Sequence, residues 1–130
     1  MLQDAPAYSG FSVNDQDEAK KFYSEVLGIN VEEDEMGLTL KCAGGNNVFV
    51  YGKPNHVPAT YTVLNFEVKN IDEAVSGLEG KGIVFEHYGD MGGYQQDEKG
   101  ILRGLSAKMG PDIAWFKDPA GNILSVLQSK

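Results

Sequence analysis

VNDQDEA at residues 13–19 returns as VKNIDEA at residues 68–74. Val13 matches Val68, Asp17 matches Asp72, Glu18 matches Glu73 and Ala19 matches Ala74, each pair 55 residues apart. Phe11 and Phe66 keep that spacing upstream, and Gly28-Ile29 and Gly82-Ile83 match downstream after a slip of one residue. Further on, GNNVFVY (45–51) answers GNILSVL (121–127) at a spacing of 76. Matches that keep their order along the chain are the mark of a duplicated unit.

The unit reads physically. Phe11 and Val13 alternate with Tyr8, Gly10 and Ser12, which predicts a strand. Asp15 followed three residues later by Glu18 resembles a capping box, and Ala19, Phe22, Tyr23 and Val26 follow at helical spacing. Gly28 is placed to stop that helix. Three short strands are expected at 29–34, 37–42 and 47–51, broken at Met36-Gly37 and Gly44-Gly45.

The second copy begins at Thr62, with Leu64, Phe66 and Val68 on one strand face and Val63, Asn65 and Glu67 on the other. Asn70 can cap a helix carrying Ile71, Ala74, Val75 and Leu78, ended by Gly80 and Gly82. Strands are expected near 83–87, 112–117 and 122–127. Between the first two lies the glycine-rich stretch 88–111, of a length that in compact domains is often functional. Each half is thus β-α-β-β-β. The expected fold is α+β, one domain over 1–130: module 1 at about 6–52, a Pro-containing connector at 53–60 and module 2 at about 61–130. Together the modules are expected to form a curved eight-stranded mixed sheet around a cleft.

Composition narrows the function. The net charge is −8 and no basic run exists, so a nucleic-acid backbone would be repelled. That acidity suits solubility and tolerates a cationic ligand. The one cysteine, Cys42, has no partner for a disulfide or a Cys-based metal site, which fits a reducing compartment. It reads as a buried small hydrophobe. MLQDAPAYSG lacks the basic start and apolar core of a signal peptide, and no apolar run approaches the ~20 residues of a membrane span. The expectation is a cytoplasmic protein that binds neither membrane nor nucleic acid.

VNDQDEAKKFYSEVLG (13–28) and FKDPAGNIL (116–124), set in this repeat, resemble the vicinal oxygen chelate superfamily of glyoxalases, extradiol dioxygenases, and fosfomycin- and bleomycin-resistance proteins. The resemblance covers nearly the whole chain. It rests on the patterns V-x-D-x-x-x-A-x-x-F-Y-x-x-x-L-G and D-P-x-G-N, which mark the fold rather than an activity. In metal-using members, the resemblance implies, ligands come from the first and last strands of each half. The positions they map onto here are Tyr8, Phe49, Val63 and Ser125. A divalent ion wants imidazole, thiolate or carboxylate ligands, and this set has none. The expected metal site is therefore none, with no cofactor, and glyoxalase or ring-cleavage chemistry is not expected.

Other chemistries find little purchase. No G-x-S-x-G surrounds a serine, and MGGY (91–94) lacks the lysine of a phosphate loop. His56 lies in the connector and His87 at a strand end, and Asp118 and Asn122 read as turn residues. Aromatics are more informative: Tyr8, Phe49, Tyr51, Tyr88, Tyr94 and Trp115 can present flat surfaces to apolar or cationic ligands. The expected ligand-binding set is Tyr8, Phe49, Tyr51, Val63, Asn65, Glu67, Trp115 and Ser125. The leading reading is a metal-independent small-molecule-binding homodimer, similar to the bleomycin-resistance branch, sequestering an aromatic or cationic ligand. Two alternatives stand beside it. One is a lyase or isomerase acting on a small carbonyl compound, with Glu67, Glu86 or His87 as base or with an unrecognised metal site. The other is a module whose pocket serves a partner or a regulatory role. The stretch 88–111 is expected to act as a lid, with Tyr94 and Leu105 over the ligand.

Overall fold

The computed structural model describes residues 1–89 and 92–130. The elements run β1 (Ser9–Val13), α1 (Gln16–Lys21), a π-helical turn (Phe22–Val26), β2 (Asn30–Glu33), β3 (Leu38–Lys41), β4 (Asn47–Gly52), β5 (Thr62–Glu67), α2 (Ile71–Glu79), β6 (Leu102–Arg103), β7 (Asp112–Lys117) and β8 (Ile123–Gln128). The class is α+β, built from two β-α-β-β-β modules, with the strands in two four-stranded sheets ordered β1-β4-β3-β2 and β5-β8-β7-β6. In each sheet one pair is parallel, β1 with β4 and β5 with β8, and the rest are antiparallel. The chain divides into two compact units, Met1–Pro58 and Ala59–Lys130. No helix among the described residues is long and apolar enough to cross a membrane.

In the first unit Asp15 caps α1, its carboxylate accepting from the Glu18 N–H at 3.0 Å. The expected helix then widens: the Leu27 N–H bonds the Phe22 carbonyl, five residues back, at 3.0 Å. This π turn buries the neighbouring rings of Phe22 and Tyr23, while Val26 is only half-buried. Gly28 then leaves the helix at φ +71°. Phe11 meets Tyr23 with ring centroids 6.1 Å apart, which sets the helix over the face carrying Val13, Leu38, Leu40 and Val50, all fully buried.

The second unit repeats the arrangement. Asn70 caps α2 by accepting from the Glu73 N–H at 3.1 Å. Ile71, Val75, Ala114, Phe116 and Leu124 form its core. One expected element differs. Residues 83–87 alternate as a strand does, with Ile83 and Phe85 buried and Val84 exposed, and the Glu86 N–H bonds the Trp115 carbonyl at 2.8 Å. The ladder place beside β7 is nevertheless held by the two-residue β6, pairing Leu102 with Ile113 and Arg103 with Asp112. The strand expected at 83–87 is corrected accordingly.

Asp90 and Met91, both in the stretch expected as a lid and the second also the start of MGGY, lie outside the described residues. From Gln96 onward that stretch is tied down. The Gln96 amide donates to the Glu86 and Gly100 carbonyls at 2.8 and 2.6 Å and accepts from the Tyr88 N–H. Asp97 accepts from the Lys99 and Ile101 N–H groups, both at 2.9 Å, and Ile101 is fully buried. Arg103 pairs twice with Asp72 of α2, at 3.1 and 2.8 Å, and once with Asp97. This hold keeps the Asp72 carboxyl below its usual range, chiefly through the Arg103 hydrogen bonds, and raises the Arg103 guanidinium further still.

Candidate functional site

The pairing registers show where the two copies correspond. In the first sheet Phe49 of β4 lies between Gly10 of β1 and Thr39 of β3. In the second, Ser125 of β8 lies between Asn65 of β5 and Trp115 of β7. The spacings of 55 and 76 residues that relate the sequence copies carry each of the first three residues onto its counterpart. Phe49 and Ser125 therefore occupy one structural position, at the middle of the sheet face turned away from the helix.

In the first unit that face is aromatic and open. Phe49 is half-buried and stacks on Tyr51, centroids 5.6 Å apart and planes 19° from parallel. Gly37 makes room for the ring: a Cβ there would sit 3.2 Å from Phe49 Cζ and 2.7 Å from the Val50 carbonyl oxygen. Tyr8, at 75% exposure, lies just before β1 and joins Phe49, Thr39, Met36 and Asp34 around an open pocket of about 330 Å³. The Asp34 carboxylate accepts from the Met36 and Gly37 N–H groups, at 2.8 and 3.2 Å. His56 is not simply an exposed connector residue. It is half-buried, with Nδ1 2.7 Å from the Ser12 hydroxyl.

In the second unit the same face is a hydrogen-bonded chain. Ser125 is fully buried and its hydroxyl donates to Asn65 Oδ1 at 2.5 Å. The serine in the middle of an apolar strand is thus a satisfied interior donor, not a half-wet surface group. Trp115 Nε1 donates to Thr62 Oγ1 at 3.1 Å, and Tyr88 meets the indole edge-on with centroids 5.6 Å apart. Partial burial there, helped by the nearby Glu86 charge, pushes the Tyr88 phenol up. Val63 is the extra residue of a β-bulge between the Thr62 and Leu64 pairings. The bulge puts Thr62, not Val63, opposite Ile123, two pairs along the ladder from Asn65. Glu67 accepts a hydrogen bond from the Ser129 hydroxyl.

The sequence-expected residues thus fall into two groups. Tyr8, Phe49 and Tyr51 come together in the first unit, and Asn65, Trp115 and Ser125 in the second, with Glu67 further along β5. Thr62, Thr39 and Gly10 were not singled out. The last two were within reach, because the repeat spacing maps Trp115 onto Thr39 and Asn65 onto Gly10. Thr62 was hidden by the bulge, which no glycine marks.

Of the other groups weighed, Glu86 pairs with Lys117 at 3.5 Å and His87 is exposed. Cys42 is half-buried rather than enclosed, its thiol pushed up by burial. Asp118 and Asn122 are buried turn residues: Asp118 Oδ1 accepts from the Ala120 and Asn122 N–H groups at 2.9 and 2.8 Å. Tyr8 and Phe49 in the first unit offer a phenol and a phenyl ring, Val63 and Ser125 in the second an isopropyl group and a hydroxyl already bonded to Asn65, and neither pair fits a divalent ion. Among the described residues no three His, Cys, Asp or Glu side chains are grouped as an ion would need.

The sequence profile of the Glyoxalase/Bleomycin resistance protein/Dioxygenase superfamily matches residues 7–126. The chain belongs to this superfamily. Solved superfamily structures share the fold. A member of the Glyoxalase/bleomycin resistance protein/dioxygenase superfamily from Sphaerobacter thermophilus is 24% identical, with a TM-score of 0.70 over 98% of this chain and 100% of that one. TnmS3, an antibiotic binding protein from Streptomyces sp. CB03234, is 20% identical, with a TM-score of 0.67 over 98% and 99%. A glyoxalase/dioxygenase from Nostoc punctiforme is 16% identical, with a TM-score of 0.66 over 99% and 94%. No curated protein matches the chain. Within the glyoxalase/bleomycin-resistance superfamily the activity must be argued from the two faces described above, because the fold is common to many activities.

Proposed function

We propose that this superfamily member is a metal-independent small-molecule-binding protein that sequesters a flat aromatic or cationic ligand, acting as a homodimer in the cytoplasm. The observation that carries the reading is the chemistry at the two corresponding centres. Phe49 and Ser125 stand at one register position, and the residues paired with them across the ladder, Gly10 and Thr39 in the first unit and Asn65 and Trp115 in the second, are all uncharged. Stacked Phe49 and Tyr51 with Tyr8 nearby suit a planar ring, and the Asp34 carboxylate among them suits a ligand that also carries positive charge. Sequestration needs such surfaces and a few oriented polar groups, and no reacting centre. The antibiotic-binding character of TnmS3 supports the same direction.

A thermal-shift panel of planar neutral and cationic aromatic compounds tests the reading. Binding to the native state at a hundredfold excess over Kd adds about 2.7 kcal/mol of apparent stability, so a true ligand raises Tm measurably. A panel that leaves Tm unmoved at millimolar concentration contradicts it. Sedimentation at micromolar concentration should give twice the 14.1 kDa chain mass, and a species of chain mass alone contradicts the homodimer.

A further inference from the structure

Two hydrogen bonds in the second unit settle orientations that side chains of these types usually leave free. Ser125 is fully buried, so its hydroxyl proton needs an acceptor inside the protein. Asn65 Oδ1 is that acceptor at 2.5 Å, and among the described residues no buried side-chain polar atom lacks a partner. The reverse amide orientation would set Nδ2 against the Ser125 oxygen and take from the hydroxyl proton the acceptor it has in the interior, which is costly. The amide is therefore held with its oxygen toward Ser125 and its NH2 free to turn outward. Asn65 is exposed, and among the described residues nothing accepts from its Nδ2. Trp115 flanks Ser125 on the other side, and its indole N–H is taken by Thr62. What Trp115 offers a ligand is its ring.

We propose that this face selects a planar ring bearing a hydrogen-bond acceptor at its edge, such as a carbonyl oxygen or a ring nitrogen. The Asn65 NH2 is the specificity-determining donor, Trp115 is the platform, and Ser125 is the positioning residue that orients the amide. The inference rests on the small-molecule-binding reading above and narrows it. An outward NH2 favours a neutral acceptor over a cation, and the Glu67 carboxylate two residues along β5 already holds the Ser129 hydroxyl.

The test uses coumarin, naphthalene and N-methylquinolinium, planar two-ring compounds of similar size that carry an acceptor, no acceptor and a positive charge. Trp115 is the sole tryptophan, so its fluorescence reports binding at this face directly. The native protein should bind coumarin about tenfold more tightly than either other compound, the worth of one well-placed hydrogen bond. Asn65→Asp keeps an oxygen for Ser125 and replaces the NH2 by a negative oxygen. It should lose the coumarin preference and favour N-methylquinolinium. Ser125→Ala should lower the coumarin-to-naphthalene ratio, and Ser125→Thr, which keeps the hydroxyl, should restore it. An equal coumarin preference in the native protein and in folded Asn65→Asp overturns the inference and leaves the binding reading standing. No saturable response to any of the three overturns it as well. The broader reading falls with it only if the thermal-shift panel is silent too.

Discussion

The first sheet places its bulk at the centre and the second places it on the flank. Phe49 is flanked by Gly10 and Thr39, and a Cβ at Gly10 would already stand 3.0 Å from the Phe49 carbonyl oxygen. Ser125 is flanked by Asn65 and by Trp115. A large central ring with small neighbours has been exchanged for a small central residue with large neighbours. On the helix-facing side no such exchange occurs. Val48 and Val50 correspond to Leu124 and Val126, Leu38 and Leu40 to Ala114 and Phe116, and every one is buried. Core packing holds one face of the duplicated unit apolar, while the other face is free to diverge into an aromatic pocket and a hydrogen-bonded chain.

The edge strands show a second contrast. In the first unit Lys20 of α1 reaches Glu33 of β2 at 3.0 Å, and in the second Asp72 of α2 holds Arg103 of β6. The helix-to-edge link is kept and its polarity is reversed. The second link is the more elaborate, because Arg103 also reaches Asp97 at 3.1 Å and Asp112 at 3.7 Å.

The largest expected effect tests the shared core. Tyr23→Ala in the first unit and Phe116→Ala in the second should each lower unfolding stability by about 3–5 kcal/mol in urea titrations. A cost under about 1 kcal/mol for either would break the equivalence of the two cores. Next comes the exchange of bulk. Ser125→Phe alone should cost about 1–3 kcal/mol by overpacking beside Trp115. Adding Asn65→Gly and Trp115→Thr, the residues that flank Phe49, should recover a clear part of that loss. A triple variant no more stable than Ser125→Phe would show that the two faces are not packing alternatives. The smallest effect concerns acid. The folded Asp72 carboxyl lies below its unfolded value, so its contribution is present above the unfolded value and disappears as pH falls through the folded one. Hydrogen-exchange protection at 96–105, taken relative to the intrinsic rate at each pH, should therefore fall more on going from pH 5 to pH 3 in the native protein than in Asp72→Asn. An equal fall in both would reduce the Arg103 link to a surface contact.

The repeat was legible because caps, apolar alternation and glycine stops are local signals, and both copies kept them. Asp15 and Asn70 bond the N–H groups their spacing indicated. The π turn was not legible, since Ala19, Phe22, Tyr23 and Val26 satisfy an ordinary helix equally well and only the bond from Leu27 to Phe22 tells them apart. The edge of the second sheet misled for a related reason. Ile83 and Phe85 alternate like a strand, whereas the two residues of β6 are too few to make a pattern. At the candidate site the register of Phe49 and Ser125 could be read from the spacings. The Trp115–Thr62 bond could not, because a bulge at Val63 shifts the start of β5 by one residue and leaves no mark in the sequence.

Binding without a metal is tested most directly by titrating one compound from the thermal-shift panel into chelator-treated protein and following Trp115 fluorescence. The titration is then repeated after adding Zn²⁺, Ni²⁺, Mn²⁺ or Fe²⁺. The expected result is one saturable curve with the same Kd under every condition. Binding that is lost on chelation and returns with one equivalent of metal would contradict the reading of Tyr8, Phe49, Val63 and Ser125 as a non-ligating set.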